Sequence, residues 1–192
     1  MIAAIVLTAG KSLRMGGRPK ALLEFRGRMF LEHVLAAAGG AGIANIVVVV
    51  GHHRNEITSA LHLPHVVFNP DYEQGMSTSV QAGIRALPQG IEGAGIFLVD
   101  QPLIDADTIA ALSTQLKRGR IVLPFYDGHR GHPVFFASDL FEEILELPSD
   151  QGLNTVVRRL PERVTEVAVT NSGVLRDIDT PEEFENLLRD HH

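Results

Sequence analysis

Residues 2–7 read Ile-Ala-Ala-Ile-Val-Leu, and residues 8–14 follow directly as Thr-Ala-Gly-Lys-Ser-Leu-Arg. The first segment is apolar at every position instead of at alternate positions, which is typical of a strand with helices covering both of its faces. Two further β-branched runs, Ile46–Val50 and Ile96–Val99, have the same character. The sequence therefore predicts a mostly parallel central sheet with helices on both faces.

Segments with helical spacing separate these strands. One apolar stripe consists of Phe30, Val34, Leu35 and Ala38. A second helix is predicted over Ser77–Leu87, and a third over Asp105–Leu116, where Asp105 and Asp107 are typical helix-start residues. The alternation of strand and helix indicates right-handed βαβ units, and hence an α/β fold.

The second half of the chain is less regular. Ile121–Phe125 and Pro133–Phe136 flank the turn residues at 127–128, Asp-Gly, and predict a hairpin. A further strand is predicted over Val164–Val169. Residues 180–183, Thr-Pro-Glu-Glu, predict the start of a last helix, with the threonine as N-cap and the second glutamate completing a capping box.

Composition narrows the class of protein. The 192 residues suit one domain, and we expect a single α/β domain over 1–192. The absence of cysteine excludes disulfides, cysteine-ligated zinc, iron–sulfur clusters and a cysteine nucleophile. A net charge of -6 argues against binding to duplex DNA.

The N-terminal segment has no positively charged leader or cleavage site, so no signal peptide is expected. The longest apolar region, Val34–Val50, is interrupted by glycines and is shorter than the roughly 20 residues of a membrane-spanning helix. We therefore expect a soluble, cytoplasmic protein that binds neither a membrane nor nucleic acid.

The glycine-rich loop after the first strand is the first candidate binding element. Ligands of open α/β sheets bind beyond the carboxyl ends of the strands, and small residues let backbone N–H groups approach an anion. The loop also carries Arg14, Arg18 and Lys20 in a chain that is acidic overall. A P-loop would need glycine at Ile5, and the dinucleotide fingerprint would need glycines two and five residues after Gly10, so neither motif is present. An ordinary βα loop remains the alternative.

Residues 7–20 resemble the L-A-A-G-x-S-x-R-M-G…K signature of the MobA-like nucleotidyltransferases. Further blocks similar to those of this family follow in the same order: Asn-Pro-Asp-Tyr at 69–72 with Gly-Met-Ser-Thr-Ser-Val-Gln-Ala-Gly at 75–83, Val-Asp-Gln-Pro at 99–102, Gly-His-Pro-Val-Phe at 131–135, and Asp-Ile-Asp-Thr-Pro-Glu-Glu at 177–183. The forms at 8–10, 100–102 and 131–133 resemble most the molybdenum cofactor cytidylyltransferase branch. The guanylyltransferase branch more often reads L-A-G-G in the first block.

This resemblance implies a single Rossmann-like nucleotidyltransferase domain. The implied reaction transfers CMP from CTP to the phosphate of a molybdopterin acceptor with release of pyrophosphate, and a client molybdoenzyme is a further implied partner. Arg14 and Lys20 would stabilise charge on the transferring and leaving phosphates. The residues expected to bind the nucleotide or the acceptor are Thr8, Ala9, Gly10, Ser12, Gly75, Ser79, Gln101 and His132.

Asp100 follows a buried strand and precedes a proline, which places it at the edge of the sheet where a triphosphate would need Mg²⁺. Helix capping is the alternative role for this residue. Asp179 is the predicted second metal ligand, and Asp177 is its competitor. A zinc site at His129 and His132 is disfavoured because these residues lie in a predicted turn, and His52-His53 has no evident partner.

One stretch departs from the family pattern. Where the cytidylyltransferases usually have G-D-x-G-A-R, residues 149–154 read Ser-Asp-Gln-Gly-Leu-Asn. The loss of the arginine removes a permanent cation with forked donors, although Arg158 or Arg159 could replace it. A guanylyltransferase or sugar-phosphate nucleotidyltransferase of the same fold therefore stays open. A non-catalytic cofactor-binding chaperone for a molybdoenzyme is a third possibility.

Overall fold

The computed structural model describes residues 1–190. The strands are β1 (Ile2–Thr8), β2 (Glu24–Phe25), β3 (Arg28–Met29), β4 (Asn45–Val50), β5 (Val66–Phe68), β6 (Gly93–Leu98), β7 (Ile121–Tyr126), β8 (His129–Arg130), β9 (Val134–Ala137) and β10 (Val164–Ala168). The helices are α1 (Phe30–Gly40), α2 (Arg54–Ala60), α3 (Met76–Arg85), α4 (Ala106–Gln115), α5 (Phe141–Leu145), α6 (Asn154–Arg159) and α7 (Pro181–Asp190).

One mixed sheet organises the molecule. Its strand order is β10-β7-β9-β6-β1-β4-β5, with β8 paired to β7, while β2 and β3 form a separate small pair. Strands β6, β1, β4 and β5 run parallel to one another, and β10 runs parallel to β7. Strand β9 runs antiparallel between β6 and β7. The prediction of a mostly parallel sheet is confirmed, and the carboxyl ends of β1, β4 and β6 lie at one edge.

Strand β1 shows why the apolar run is continuous. Ala4 and Val6 point into one core cluster, which α1, α4 and α7 cover. Ala3 and Ile5 point into the cluster on the opposite face, which α3, α5 and α6 cover. Successive side chains of a strand face opposite sides of the sheet, so a strand between two helical layers is apolar at every position. Helices on both faces are thus confirmed.

The predicted hairpin is present but is interrupted. Asp127 and Gly128 both have positive φ values, 47° and 80°, as a two-residue type I′ turn requires, and they join β7 to β8. Tyr126 pairs with His129, whereas Val122 pairs with Phe135. The return strand therefore contains two extra residues, and residues 131–133 leave the sheet next to the end of β6.

Both predicted helix starts have the expected caps. The backbone N–H of Thr108 donates to Asp105 Oδ1 at 2.8 Å, and the backbone N–H of Thr180 donates to Glu183 Oε2 at 2.8 Å. The longest helix within residues 1–190 is α1 with 11 residues, and none has the length and apolar character needed to cross a membrane.

Candidate active site

A cavity of about 540 Å³ opens at the carboxyl edge of the sheet. It lies between the loop after β1, the start of the segment after β4, the N-terminus of α3 and the end of β6. This volume is within the range of small-molecule binding sites. The predicted site residues that line the cavity are Thr8, Ala9, Gly10, Ser12, Arg14, Lys20, Gly75, Ser79 and Asp100.

The loop after β1 is held at both of its ends. The Thr8 hydroxyl is buried and donates to the carbonyl of Val49 at 2.9 Å, so its side chain ties β1 to β4. Further along, Ser12 adopts a left-handed conformation with φ 51°, and Met15 packs into the core. Gly10 between them is exposed, and a Cβ added there would meet no atom within 4 Å. The backbone of the loop is therefore open toward the cavity at Gly10.

Lys20 joins two carboxylates at one side of the cavity. Its Nζ donates to Asp100 Oδ2 at 2.8 Å and to Asp179 Oδ1, and Arg14 contacts Asp179 Oδ2 at 2.8 Å. Lys20 is largely buried, since only 13% of its side chain is exposed. The structure thus brings the two predicted catalytic cations and the two predicted metal ligands together, across more than 150 residues of sequence.

The charges in this cluster stabilise one another. Burial alone would lower the pKa of Lys20, but the Asp100 and Asp179 carboxylates outweigh it and raise the pKa above its usual value. Burial likewise opposes ionisation of Asp179, yet hydrogen bonds and charges from Lys20 and Arg14 hold its pKa below the usual value. Because Lys20 has two carboxylate partners, it keeps one of them when the other is removed.

The donor set of this cluster fits a divalent cation. Two carboxylate groups point at a single cationic atom, and Asp100 Oδ1 is buried without a hydrogen-bond partner in the part of the chain described. Within residues 1–190, no group of three or more His, Asp or Glu side chains is arranged to hold a metal. Mg²⁺ is often held by one or two carboxylates with phosphate oxygens and water completing its shell.

Three of the predicted site residues, Gln101, His132 and Asp179, do not line the cavity. The Gln101 amide is buried, and its Nε2 donates to Asp177 Oδ1 at 2.7 Å. His132 Nδ1 is shielded from solvent, and burial lowers the pKa of this imidazole. Loss of water around the carboxyl raises the pKa of Asp177. Gln101, His132 and Asp177 form a second polar cluster, and the binding roles of Gln101 and His132 stay predictions.

The start of α3 closes another side of the cavity. Gly75 has φ 139°, and a Cβ at this position would lie 2.1 Å from the carbonyl oxygen of Ser149. Only glycine therefore lets residues 149–154, the stretch that departs from the family pattern, pack against this turn. The Ser79 hydroxyl accepts a hydrogen bond from Asn69 Nδ2 at 2.9 Å, so it organises the turn while it lines the cavity.

Several lining residues were not predicted. His53 Nδ1 donates to Glu56 Oε1 at 2.7 Å, and Lys11 forms an ion pair with Glu73 at 2.6 Å. His52 Nδ1 lies 3.2 Å from the Tyr72 hydroxyl. His52 and His53 therefore have hydrogen-bond partners, whereas the sequence prediction concerned zinc, and among residues 1–190 no group of three or more His, Asp or Glu side chains could hold a metal. Their partners lie on α2 and on a single 3₁₀ turn, which are elements too short to produce a periodic pattern.

The sequence matches a known protein family over most of its length. A model of the MobA-like NTP transferase domain matches residues 4–164. The chain belongs to this family. The match contains the glycine-rich loop, Lys20 and Asp100, whereas Asp177 and Asp179 lie beyond it. Three of the four residues of the charged cluster, Arg14, Lys20 and Asp100, therefore lie in the matched region of this MobA-like chain, and Asp179 comes from the segment before α7.

Individual relatives cover nearly the whole MobA-like chain. It is 28% identical over 197 residues to nicotine blue oxidoreductase of Paenarthrobacter nicotinovorans, covering 97% of this chain and 96% of that protein. It is 31% identical over 198 residues to the purine catabolism protein PucB of Bacillus subtilis, covering 96% and 95%.

Among solved structures, Rv0371c from Mycobacterium tuberculosis superposes with a TM-score of 0.89 at 29% identity, covering 98% of this chain and 97% of that one. A second structure of Rv0371c, described as a complex with manganese, has a TM-score of 0.84 at 27% identity and covers 98% of both chains. The Rossmann-like nucleotidyltransferase fold predicted for the MobA-like chain is thus confirmed.

Proposed function

We propose that this MobA-like protein is a divalent-metal-dependent cytidylyltransferase that transfers CMP from CTP to the phosphate of a molybdopterin-type acceptor. The observation that carries the nucleotidyl-transfer part is the cavity in which an open glycine-rich loop meets Lys20, Arg14 and a pair of carboxylates. The choice of CTP and of the acceptor rests on the sequence blocks at 8–10, 100–102 and 131–133.

In the proposed reaction, an oxygen of the acceptor phosphate attacks the α-phosphorus of the nucleotide. The bond from the α-phosphorus to the bridging oxygen breaks, and pyrophosphate leaves with the electron pair. No covalent enzyme intermediate is needed, so the protein positions the reactants and stabilises developing negative charge. Backbone N–H groups around Gly10 would bind the triphosphate, and Arg14 and Lys20 would neutralise the charge that moves onto the leaving group.

Asp100 and Asp179 would hold a divalent cation, Mg²⁺ by preference. When bound, such a cation would supply positive charge next to the phosphates and fix their orientation. Gly75 and Ser79 would lie beside the ribose and base, since they line the cavity away from the charged cluster. His132 is excluded from direct contact in this proposal, because its ring does not line the cavity.

The acceptor is the less constrained half of the proposal. Asn154 replaces the arginine usual at that position, and Arg159, one of the two possible substitutes, donates to Gln151 Oε1 at 3.4 Å. This observation supports a second candidate, a nucleotidyltransferase of the same fold that uses GTP or a sugar phosphate. The name of the Paenarthrobacter relative would instead imply oxidation and reduction, but the loop after β1 lacks the glycine pattern of a dinucleotide site.

The test is calorimetric binding of CTP, GTP, ATP and UTP, each with and without Mg²⁺, followed by a pyrophosphate-release assay with the molybdopterin acceptor. We expect CTP to bind tightly only with Mg²⁺ and to release pyrophosphate only with acceptor present. A preference for GTP would move the protein to the guanylyl branch. Binding of nucleotide and acceptor without pyrophosphate release would support a non-catalytic chaperone, and no binding of any nucleotide would contradict the site.

A further inference from the structure

A lysine lies between the two carboxylates proposed to bind metal. Lys20 Nζ contacts Asp100 Oδ2 at 2.8 Å and also contacts Asp179 Oδ1. Asp100 and Asp179 lie 79 positions apart in the chain. The folded sheet, and not the local sequence, therefore brings them together at Lys20. A point where two anionic oxygens from distant segments meet is a cation site, and here the cation belongs to the protein.

We propose that the Lys20 ammonium is a built-in counter-ion that occupies the metal position until nucleotide binds. This inference rests on the proposed function and concerns the order of events at the same site. Lys20 leaves the carboxylates when the phosphates of the nucleotide offer it another anionic partner, and the position it vacates becomes available to the divalent cation. Metal and nucleotide therefore bind cooperatively, because each favours the same displaced state of Lys20.

Three features of the cluster support this exchange. Lys20 lines the cavity, so its ammonium can turn toward a triphosphate without any movement of the backbone. Its side chain is a flexible four-carbon chain with a point charge, unlike the rigid guanidinium of arginine. Asp100 Oδ1 is buried and has no hydrogen-bond partner in the described structure. Lys20 contacts only the other oxygen of this carboxylate, so Oδ1 can still bind a cation.

The exchange also explains how two carboxylates are kept close together without metal. The Lys20 ammonium contacts both carboxylates, and its positive charge offsets the repulsion between them. Arg14 is placed differently: Asp179 is its ion-pair partner among residues 1–190, and 69% of its side chain is exposed. Replacing Arg14 would therefore leave a cation between Asp100 and Asp179, whereas replacing Lys20 would remove it.

The decisive measurement is the affinity of the protein for Mn²⁺ without nucleotide, monitored by electron paramagnetic resonance. We expect Lys20→Met to bind Mn²⁺ at least about tenfold more tightly than the wild type, in the range of typical coupling between sites. Lys20→Arg keeps a cation between the carboxylates and should bind Mn²⁺ as weakly as the wild type. Lys117→Met removes the same charge at the opposite edge of the sheet and is the matched control.

A double variant, Lys20→Met with Asp100→Asn, tests whether the added Mn²⁺ affinity arises at the two carboxylates. It should lose the added Mn²⁺ affinity, because one of the two carboxylates is gone. Equal or weaker Mn²⁺ binding by Lys20→Met than by the folded wild type would overturn the inference, and so would a gain of equal size in Lys117→Met.

A measurement on the wild type keeps the inference testable if Lys20→Met does not fold. The chain has three lysines, Lys11, Lys20 and Lys117, so ¹⁵N-lysine NMR gives a simple ammonium spectrum. Saturation with Mg²⁺ should shift the Lys20 Nζ resonance and remove its hydrogen-bond couplings to the carboxylates. Saturation with an unchanged Lys20 signal would contradict the exchange.

The outcomes also separate this inference from the proposed function. Tight Mn²⁺ binding in the presence of CTP, with no gain in Lys20→Met alone, would reject the counter-ion and leave the transferase proposal intact. No Mn²⁺ binding under any condition, with any of the four nucleotides, would reject both.

Discussion

Two polar clusters lie side by side at the end of β6, and they are built from neighbouring positions of the same two segments. Asp100 and Asp179 both contact Lys20, and Lys20 and Asp100 line the cavity. Gln101 and Asp177 contact each other and do not line it. The first cluster is made of full charges in ion pairs, and the second is made of an amide, a carboxyl with raised pKa and an imidazole with lowered pKa.

This difference indicates that the first cluster binds ligand and that the second stabilises the fold around it. Full charges that are open to a cavity can exchange protein partners for a ligand, since water and phosphate can reach them. Buried amide and imidazole groups cannot be exchanged without a desolvation penalty, so they fix the positions of their neighbours instead. Four variants, each changed at one residue, test this difference between the two clusters.

The largest effect is expected at Asp100. Asp100→Asn removes one charge from the proposed cation site, so we expect the rate of pyrophosphate release to fall by about 10²- to 10³-fold, the usual cost of losing one electrostatic stabiliser. The melting temperature should change little, because Lys20 keeps Asp179 as a partner. A rate close to that of the wild type would show that the first cluster is structural as well.

Gln101→Met should have the opposite profile. It removes the hydrogen bond to Asp177 from a side chain that is only 2% exposed, and we expect the free energy of unfolding to fall by about 1–3 kcal/mol. Urea denaturation measures this loss, and calorimetry on the folded variant should give an unchanged nucleotide affinity. Weaker nucleotide binding at full stability would return Gln101 to the site.

Gly10→Ala tests the open loop of the first cluster. The added methyl group meets no protein atom within 4 Å, so stability should be preserved, but the methyl would keep phosphate away from the backbone N–H groups. We expect nucleotide affinity to fall about tenfold, or about 1.4 kcal/mol. Gly39→Ala on α1 is the matched control, since its Cβ also meets nothing within 4 Å and lies far from the cavity. Equal affinity in both variants would contradict phosphate binding by this loop.

The smallest effect is expected at His132. Burial lowers the pKa of its imidazole, so the unfolded chain takes up a proton near pH 6.5 while the folded protein does not. Its contribution to stability is thus present above pH 6.5 and is lost as the pH falls below that value, by at most about 1.4 kcal/mol per pH unit. His132→Asn should flatten this part of the curve of unfolding free energy against pH. An unchanged slope would mean that other groups carry it.

The sheet was predictable because its signal is local. A strand such as β1 is apolar at every position, and the glycine-rich loop follows it directly, so the two could be read together. Lys20 and Asp100 were assigned through the family resemblance, and the structure places them 2.8 Å apart. Their catalytic roles stay predictions.

The orientation of single residues was not predictable. Gln101 is adjacent to Asp100 in sequence, but the end of β6 turns one side chain to the cavity and the other to Asp177. His132 lies in the interruption between β8 and β9, where no periodicity applies. Asp177 and Asp179 were hard to tell apart because both precede α7, and only the tertiary position of Lys20 distinguishes them.

The contact between Lys20 and Asp179 spans 159 positions of the chain. The two residues meet only because the folded sheet positions the loop after β1 next to the segment before α7. The cluster is therefore a feature of the folded chain as a whole. A ligand that binds there stabilises the fully folded molecule and nothing less, so added nucleotide and metal should slow global unfolding and proteolysis together.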